Sequence, residues 1–210
     1  MLELSSAQAA QIEALYLDME KAYAAVAAPI GLTCDGCPDN CCDSYFLHHT
    51  YLEWAYLWYG VSRLEAEKIL ILRHRARAYE QQARLLIEKG IRPQLMCPLN
   101  EKGRCMLYHY RLMVCRTHGV PASLTRPDGQ RLNFPGCFRV QDIIEQSDDE
   151  RLGQHSMERT ALLQRLVMLE QRFTVGRRQG LPKLKMTIAS MLVAGPPDVA
   201  LVFEKPRHHT

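Results

Sequence analysis

The chain has 210 residues, of which 47% are apolar, and a formal net charge of +3 at neutral pH. This length suits one domain with its own core, and so modest a charge gives no reason to expect a nucleic-acid partner. No stretch approaches the roughly 18 apolar residues that a membrane-spanning helix needs, and residues 1–30 lack the basic start of a secretory signal. We therefore expect a cytoplasmic protein, in a compartment that keeps thiols reduced.

The first predicted element is a helix over 5–28. Ser5 and Ser6 are good capping residues, and Pro29 and Gly31 are expected to close the helix. Its apolar residues recur at steps of three and four, which predicts a single buried stripe: Ile12, Leu15, Met19, Ala22 and Val26.

The next stretch, CDGCPDNCC at 34–42, has four cysteines in nine positions. Cys34 and Cys37 form a C-x-x-C pair, a spacing at which one turn directs both sulfurs to one metal. Cys41 and Cys42 are adjacent, and in an extended segment their side chains would point to opposite sides. They are therefore expected either to serve two sites or to comprise one ligand and one bystander.

Two more helices are predicted before residue 90. Thr50 and Glu53 have the spacing of a capping box at the start of a short aromatic helix containing Trp54 and Trp58, which we expect to shield the cysteine site. Gly60 is expected to break this helix. Ser62 with Glu65 repeats the capping signature, and a long helix is predicted from there to Glu88, ended by Gly90. Its predicted buried stripe is Ile69, Leu72, Ala76, Tyr79, Ala83 and Leu86.

Between 93 and 138, Pro, Gly and Cys dominate and no helical period persists. Asp128-Gly129 between two alternating runs predicts a β-hairpin. Helices resume over 156–193. The fold expected is mainly α: a single domain over 1–210, with helices 5–28 and 156–193 flanking an irregular cysteine-rich metal-binding core at 34–138 that includes a short hairpin.

The cysteine set predicts a metal site. Thiolates are soft ligands that select zinc, cuprous copper or iron–sulfur clusters. A disulfide framework is typical of short secreted chains, and a redox dithiol would leave six cysteines unexplained. The predicted ligands are Cys34, Cys37, Cys41, Cys42, Cys97, Cys105, Cys115 and Cys137.

Either an iron–sulfur cluster or Zn²⁺ would suit these ligands. The chain has one C-x-x-C pair, whereas zinc sites commonly use two, and its other cysteines lie singly on separate loops. Proline follows Cys37 and Cys97, as it follows cluster ligands in some ferredoxins. These features favour iron–sulfur, either as one cluster with spare thiols or as one of two four-thiolate sites.

Several other residues near the cysteines are candidates for the site. His118 is the best candidate for a histidine ligand, while His48, His49 and His109 are expected to be surface or hydrogen-bonded histidines. Four arginines flank cysteines and could balance thiolate charge, namely Arg104, Arg111, Arg116 and Arg139.

The motif CDGCPDNCC, with CPLNEKGRCMLYHYRLMVCRTHGVP and PGCF after it, resembles the CxxCxxCC cysteine-cluster family, also called YkgJ-like. The resemblance covers about 34–138 and includes Cys97-Pro98, Gly103, Cys105, Tyr108 and Cys115-Arg116. The chain departs from the family pattern in having three residues between Cys37 and Cys41, and in having Arg111-Leu112 where arginine-proline is usual.

The resemblance implies a zinc- or iron-chelating protein. Three classes of function follow: a metal or cluster protein serving electron transfer, sensing or maturation; a structural zinc module that binds another macromolecule; or an enzyme. The enzyme class arises because a lysine-methylating branch acting on flagellin is similar in the cysteine region. The partners expected are metal ions and an unidentified protein, without nucleic acid or membrane.

Overall fold

The computed structural model describes residues 2–33, 41–149, 151–175 and 181–198. These residues are mainly helical, as the sequence predicts, with short strands between the helices. No helix among them is long and apolar enough to cross a membrane. The helices are α1 (Ser6–Ile30), α2 (Tyr51–Val61), α3 (Ala66–Glu88), α4 (Met113–Thr117), α5 (Phe138–Glu145), α6 (Thr160–Phe173) and α7 (Ile188–Ala194). The strands are β1 (Asn100–Glu101), β2 (Arg104–Cys105), β3 (Ala122–Thr125), β4 (Arg131–Phe134) and β5 (Met157–Glu158).

The chain divides into two compact units, each assembled from separate stretches of sequence. The first unit comprises Met1–Ala9, Cys42–Leu112 and Glu170–Thr210, and the second comprises Ala10–Cys41 and Met113–Leu169. The cysteine-rich stretch 34–138 thus contributes to both units. A single domain over 1–210 stays a prediction.

Helix α1 begins where its capping residues predict and ends just before Gly31, whereas Pro29, which was also expected to close it, lies inside the helix. The Ser5 hydroxyl accepts a hydrogen bond of 3.2 Å from the amide of Gln8. At the other end Gly31 has φ of +72°, and the amide of Leu32 donates to the Ala27 carbonyl at 3.0 Å. This left-handed glycine closes the last turn, so α1 extends slightly beyond the predicted 5–28 and takes in Pro29.

Helix α2 confirms one prediction and overturns another. Thr50 Oγ1 accepts from the Glu53 amide at 3.3 Å and donates to Glu53 Oε2 at 2.8 Å, so the predicted cap is present. Gly60 lies inside α2 and does not break it. A Cβ at this position would stand 2.5 Å from Cγ of Tyr110, so the glycine makes room for the tyrosine ring.

Helix α3 buries the centre of the predicted stripe, at Leu72, Ala76, Tyr79 and Ala83. Its predicted cap is wrong. Glu65 precedes α3 without a side-chain capping bond, and the Ser62 hydroxyl donates to the Tyr59 carbonyl at 3.0 Å. Ser62 therefore belongs to the end of α2, because its hydroxyl is bonded to a carbonyl of that helix and does not cap α3.

Helix α7 packs on α3 and completes the first unit. Thr187 Oγ1 donates to Glu80 Oε1 at 2.8 Å, and Ser190 Oγ donates to the same oxygen at 2.9 Å. The indoles of Trp54 and Trp58 donate to the Met191 carbonyl at 3.3 and 2.9 Å. Both tryptophans of α2 are thus fixed by the C-terminal end of α7.

The second unit is built around a three-stranded sheet of order β4-β3-β5. β3 and β4 form the hairpin that Asp128-Gly129 predicts, with Ala122 opposite Phe134. β5 pairs parallel to β3, which was not foreseen. Because 157–158 pairs with β3, α6 begins at Thr160 and not near 156. Arg165 of α6 binds Asp18 of α1 at 2.8 Å.

Candidate metal centre

The predicted ligands are divided between the two units. Cys42, Cys97 and Cys105 belong to the first unit, and Cys115 and Cys137 to the second. These five side chains are half-buried, and no disulfide is present among the described residues. Cys34 and Cys37, with their C-x-x-C pair, lie outside the described residues, and of Cys41 only the backbone is described.

The first unit brings the backbones of Cys42 and Cys97 together. The Cys97 amide donates to the Cys42 carbonyl at 2.9 Å, and the Leu95 amide donates to the Asp43 carbonyl at 3.1 Å. These two bonds pair the segment after the cysteine quartet with the segment before β1. Cysteines that are distant in sequence are therefore neighbours along the backbone ladder.

Cys105 lies on a tight hairpin that begins just after Cys97. β1 and β2 pair with Asn100 opposite Cys105, and the Asn100 amide donates to the Cys97 carbonyl at 2.9 Å. The turn residues Lys102 and Gly103 both have positive φ, at 52° and 84°, as a type I′ turn requires. The hairpin thus places Cys105 opposite Asn100, the residue whose amide is bonded to the Cys97 carbonyl.

Tyr79 of α3 is part of the surroundings of Cys97. Burial is the main cause that raises the pKa of Tyr79 to about 12, and the charge of the Cys97 thiolate adds to it. The phenol hydroxyl therefore stays protonated at neutral pH. The sequence predicts Tyr79 only as a core position of α3, because nothing in the local sequence relates it to a cysteine beyond the end of that helix.

In the second unit, Cys115 is on α4 and Cys137 is the N-cap residue of α5. The Cys137 amide donates to the Gly119 carbonyl at 2.9 Å. His118 lies between α4 and this glycine. Burial lowers its pKa, and the charge of Arg159 lowers it further. The imidazole is therefore held neutral, which is the form that binds metals.

The arginines near the cysteines have different environments. Arg116 is buried, forms an ion pair with Glu20, and its guanidinium carbon lies 4.4 Å from the centre of the Tyr16 ring. The guanidinium of Arg111 stacks on Tyr108, with its central carbon 3.6 Å from the centre of the ring. Arg104 is exposed on β2. Arg116, one of the four arginines predicted to balance thiolate charge, thus pairs with a carboxylate.

The backbone at Cys41 and Cys42 differs from the extended segment on which their predicted orientation rests. Residues Cys41–Asp43 form a 3₁₀ turn, whereas the sequence argument assumed an extended segment. Successive side chains in a 3₁₀ turn are about 120° apart, since it has three residues per turn. The backbone of this turn therefore does not require the two cysteines to point to opposite sides.

The prediction for His48 is also wrong. It was expected at the surface or hydrogen-bonded, but it is 2% exposed, and neither ring nitrogen has a hydrogen-bond partner within the described ranges. His49 agrees with expectation, because its Nδ1 lies 2.9 Å from the Leu184 carbonyl oxygen. His109 is exposed.

Within the part of the chain that the structure describes, no three Cys, His, Asp or Glu side chains stand close enough together to hold a metal ion. That part leaves out Cys34, Cys37 and the side chain of Cys41. The eight-cysteine ligand set therefore stays a prediction.

No protein-family model matches this chain, and no curated protein or solved structure matches it either.

Proposed function

We propose that this protein binds an iron–sulfur cluster, zinc, or both through its clustered cysteine thiolates, and serves in electron transfer, sensing or maturation. The ligands proposed are Cys34, Cys37, Cys41, Cys42, Cys97, Cys105, Cys115 and Cys137.

The backbone link between Cys42 and Cys97 carries this proposal. A hydrogen bond of 2.9 Å joins the end of the cysteine quartet to the start of the β1–β2 hairpin, and that hairpin bears Cys105. Half-buried thiols held outside disulfides fit a metal better than they fit an apolar core, because thiolate is a ligand for soft metals. When bound, such a centre supplies redox capacity if it contains iron, or a structural crosslink if it is zinc.

We favour iron–sulfur over zinc alone because of how the thiols are distributed. Cys97, Cys105, Cys115 and Cys137 each lie on a separate element or turn, and the chain has a single C-x-x-C pair. A cluster is several times wider than one tetrahedral ion, so ligands from separate loops suit it better.

Anaerobic purification of the full chain, followed by iron, zinc and acid-labile sulfide analysis, tests the proposal. Brown protein that absorbs broadly near about 400 nm and contains sulfide is expected, since thiolate-to-iron charge transfer gives this colour. Colourless protein with stoichiometric zinc and no sulfide would make zinc the occupant.

Serine variants test the ligands. Cys42→Ser and Cys97→Ser are expected to lose the same metal. Met96→Ser is the matched control, since Met96 is next to Cys97 and 49% exposed, and it should keep the wild-type metal content. Wild-type protein without iron, zinc or sulfide, prepared anaerobically, would refute the proposed function.

A further inference from the structure

An open groove lies in the first unit, at the place where α3 ends. Its volume is about 510 Å³, within the range of roughly 300–1,000 Å³ that binding clefts have. We call it the α3-end groove and define it by six of the residues that line it: Tyr45, Leu47, Ile87, Ile91, Arg92 and Lys185.

The turn after α3 brings two isoleucines to this groove. Gly90 has φ of +72°, and the Ile91 amide donates to the Leu86 carbonyl at 2.9 Å. A left-handed glycine with a bond of this kind reverses the chain at a helix end. Ile91 is thus returned to the last turn of α3, which carries Ile87.

A backbone bridge brings Leu47 and Lys185 to the same groove. The His48 amide donates to the Met186 carbonyl at 2.8 Å, and the Met186 amide donates to the His48 carbonyl at 3.1 Å. Leu47 and Lys185 precede these two residues in the chain. Because the walls are held by backbone hydrogen bonds, a ligand would pay little to order them.

The apolar part of the groove is open to water. Ile87 and Ile91 are 50% and 52% exposed, and both line the groove together with Tyr45 and Leu47. Single exposed apolar side chains are normal on a protein surface, whereas several that share one concave place indicate an interaction site. The groove thus offers apolar surface that a partner could cover.

The charge of the groove has one sign. Arg92 and Lys185 are its charged lining residues, and no acidic side chain among the described residues lines it. Arg92 Nη2 donates to the Tyr45 carbonyl at 3.4 Å, and neither cation forms an ion pair with another described residue. Cations beside apolar surface complement a ligand that has both carboxylates and an apolar group.

We propose that the α3-end groove binds an acidic segment of a partner protein. An apolar side chain of that segment lies against Ile87 and Ile91, and its carboxylates lie beside Arg92 and Lys185. A free fatty acid has similar chemistry but needs an enclosed cavity that removes most of its surface from water, and this groove is open. The inference goes beyond the proposed function and does not depend on it, because none of the groove residues is a proposed metal ligand.

The experiment measures the binding of a fluorescein-labelled acidic peptide, EEDLLDEE, to the full-length, anaerobically prepared protein by fluorescence anisotropy. Two further peptides separate the contributions: EEDSSDEE keeps the charge without the apolar side chains, and KKKLLKKK reverses the charge. The groove variants are Ile87→Ser, Ile91→Ser, Arg92→Glu and Lys185→Glu. The matched controls are Leu70→Ser, at a side chain of α3 that is 68% exposed, and Lys68→Glu, at an exposed position of the same helix.

The wild type is expected to bind EEDLLDEE with a dissociation constant below about 0.1 mM, and more weakly as salt is added. Each groove variant should weaken this binding about tenfold, because it removes one apolar contact or reverses one charge. The two control variants should stay within about twofold of the wild type. EEDSSDEE and KKKLLKKK should bind at least about tenfold more weakly than EEDLLDEE.

Methyl NMR of isoleucine-labelled wild type locates the peptide. The signals of Ile87 and Ile91 should shift when EEDLLDEE is added. Ile71 is also on α3 and 43% exposed, but it does not line the groove, so its signal should stay in place.

Several results would overturn the inference. These are wild-type protein that does not bind EEDLLDEE, groove variants that bind it as the wild type does, and equal binding of the three peptides. Decanoate that binds where EEDLLDEE does not would assign the groove to a fatty acid, and a dimer that Ile91→Ser dissociates would assign it to a second copy of the chain. Metal-free wild type that binds EEDLLDEE as expected would refute the proposed function and support this inference.

Discussion

At the scale of the residue, the imidazole of His48 is buried, and neither of its ring nitrogens has a hydrogen-bond partner among the described residues. Burial is the main cause that lowers its pKa below the usual value, the charge of Glu53 opposes this shift, and the charge of His49 adds to it. The unfolded chain therefore takes up a proton at a pH where the folded protein does not. The free energy of unfolding therefore rises with pH between the lowered pKa of the folded protein and the usual histidine value of about 6.5. It falls as the pH drops below about 6.5.

Replacing His48 by leucine should flatten this dependence. Between pH 6.5 and 5.5 the free energy of unfolding of the wild type should fall, and His48→Leu should remove up to about 1.4 kcal/mol per pH unit of that slope. His118, whose pKa is also lowered by burial, keeps its own contribution in both proteins. Urea unfolding at pH 7.5, 6.5 and 5.5 measures the slopes.

The matched control for His48 is His74→Leu, at an exposed histidine of α3. This variant should retain the wild-type slope. Equal slopes for wild type and His48→Leu would show that the buried imidazole is not linked to folding.

At the scale of the element, the start of α2 is capped by a residue distant in sequence. Glu170 of α6 accepts from the amides of Tyr51 and Leu52, at 3.0 and 2.8 Å. The first amides of a helix have no partner within the helix, and a carboxylate there also meets the positive end of the helix dipole. Glu170 therefore complements the local Thr50 cap.

Glu170→Ala should lower the free energy of unfolding by about 2 kcal/mol, since it removes two charge-assisted bonds to a helix N-terminus. Glu170→Gln retains one acceptor without the charge and should lose about half as much. Gln171→Ala, at the exposed position next along α6, is the control and should stay within about 0.5 kcal/mol of wild type. Chemical denaturation measures all three, and a wild-type value for Glu170→Ala would contradict the capping role.

Local patterns predicted the elements whose causes are local. The apolar spacing in α3, the Thr50 cap and the Asp128-Gly129 turn each lie within a few residues of what they determine. The parallel pairing of β5 with β3 and the cap from Glu170 depend on partners far along the chain, which periodicity does not reveal. The β1–β2 hairpin was missed because Lys102-Gly103 carries only half of the usual Asn-Gly signal.

The same distinction between local causes and distant partners applies to the candidate site. Spacing and thiol chemistry predict the cysteines as ligands, but their grouping would depend on tertiary contacts such as the bond from the Cys97 amide to the Cys42 carbonyl. The proximity of Arg159 to His118, whose pKa its charge lowers, is not apparent in the sequence, because the pairing of β5 with β3 joins segments that are distant in the chain. Gly60 looks like a helix breaker in sequence, yet it is needed for the close approach of Tyr110.

At the scale of the whole molecule, the helices and the cysteine-rich stretch should respond differently to removal of the proposed metal. Helices α1 and α3 have buried apolar stripes, whereas 93–138 contains short strands, turns and the 5-residue helix α4. Where a segment lacks a periodic core, metal binding supplies much of its folding energy. Stripping the metal should therefore preserve most of the far-UV helical signal while raising hydrogen exchange across 93–138.

Hydrogen exchange followed by mass spectrometry measures this contrast, with peptides of α3 as the internal reference. Readdition of the native metal should restore protection across 93–138. Complete metal removal that leaves both the exchange pattern and the melting curve unchanged would contradict a folding role for the metal.

The first unit is assembled from stretches that are far apart in sequence, and this has a consequence for its synthesis on the ribosome. Helix α2 emerges before α7, but the residues whose carbonyls accept from the Trp54 indole, Met191 and Gly195, are translated 137 and 141 residues after Trp54. The Leu2 amide likewise waits for the Pro197 carbonyl. The apolar surface of α2 must therefore remain uncovered by α7 until residues 188–194 have been translated, and transiently exposed apolar surface of this kind is prone to aggregation. The sheet of the second unit, in contrast, has all its strands as soon as β5 has left the exit tunnel.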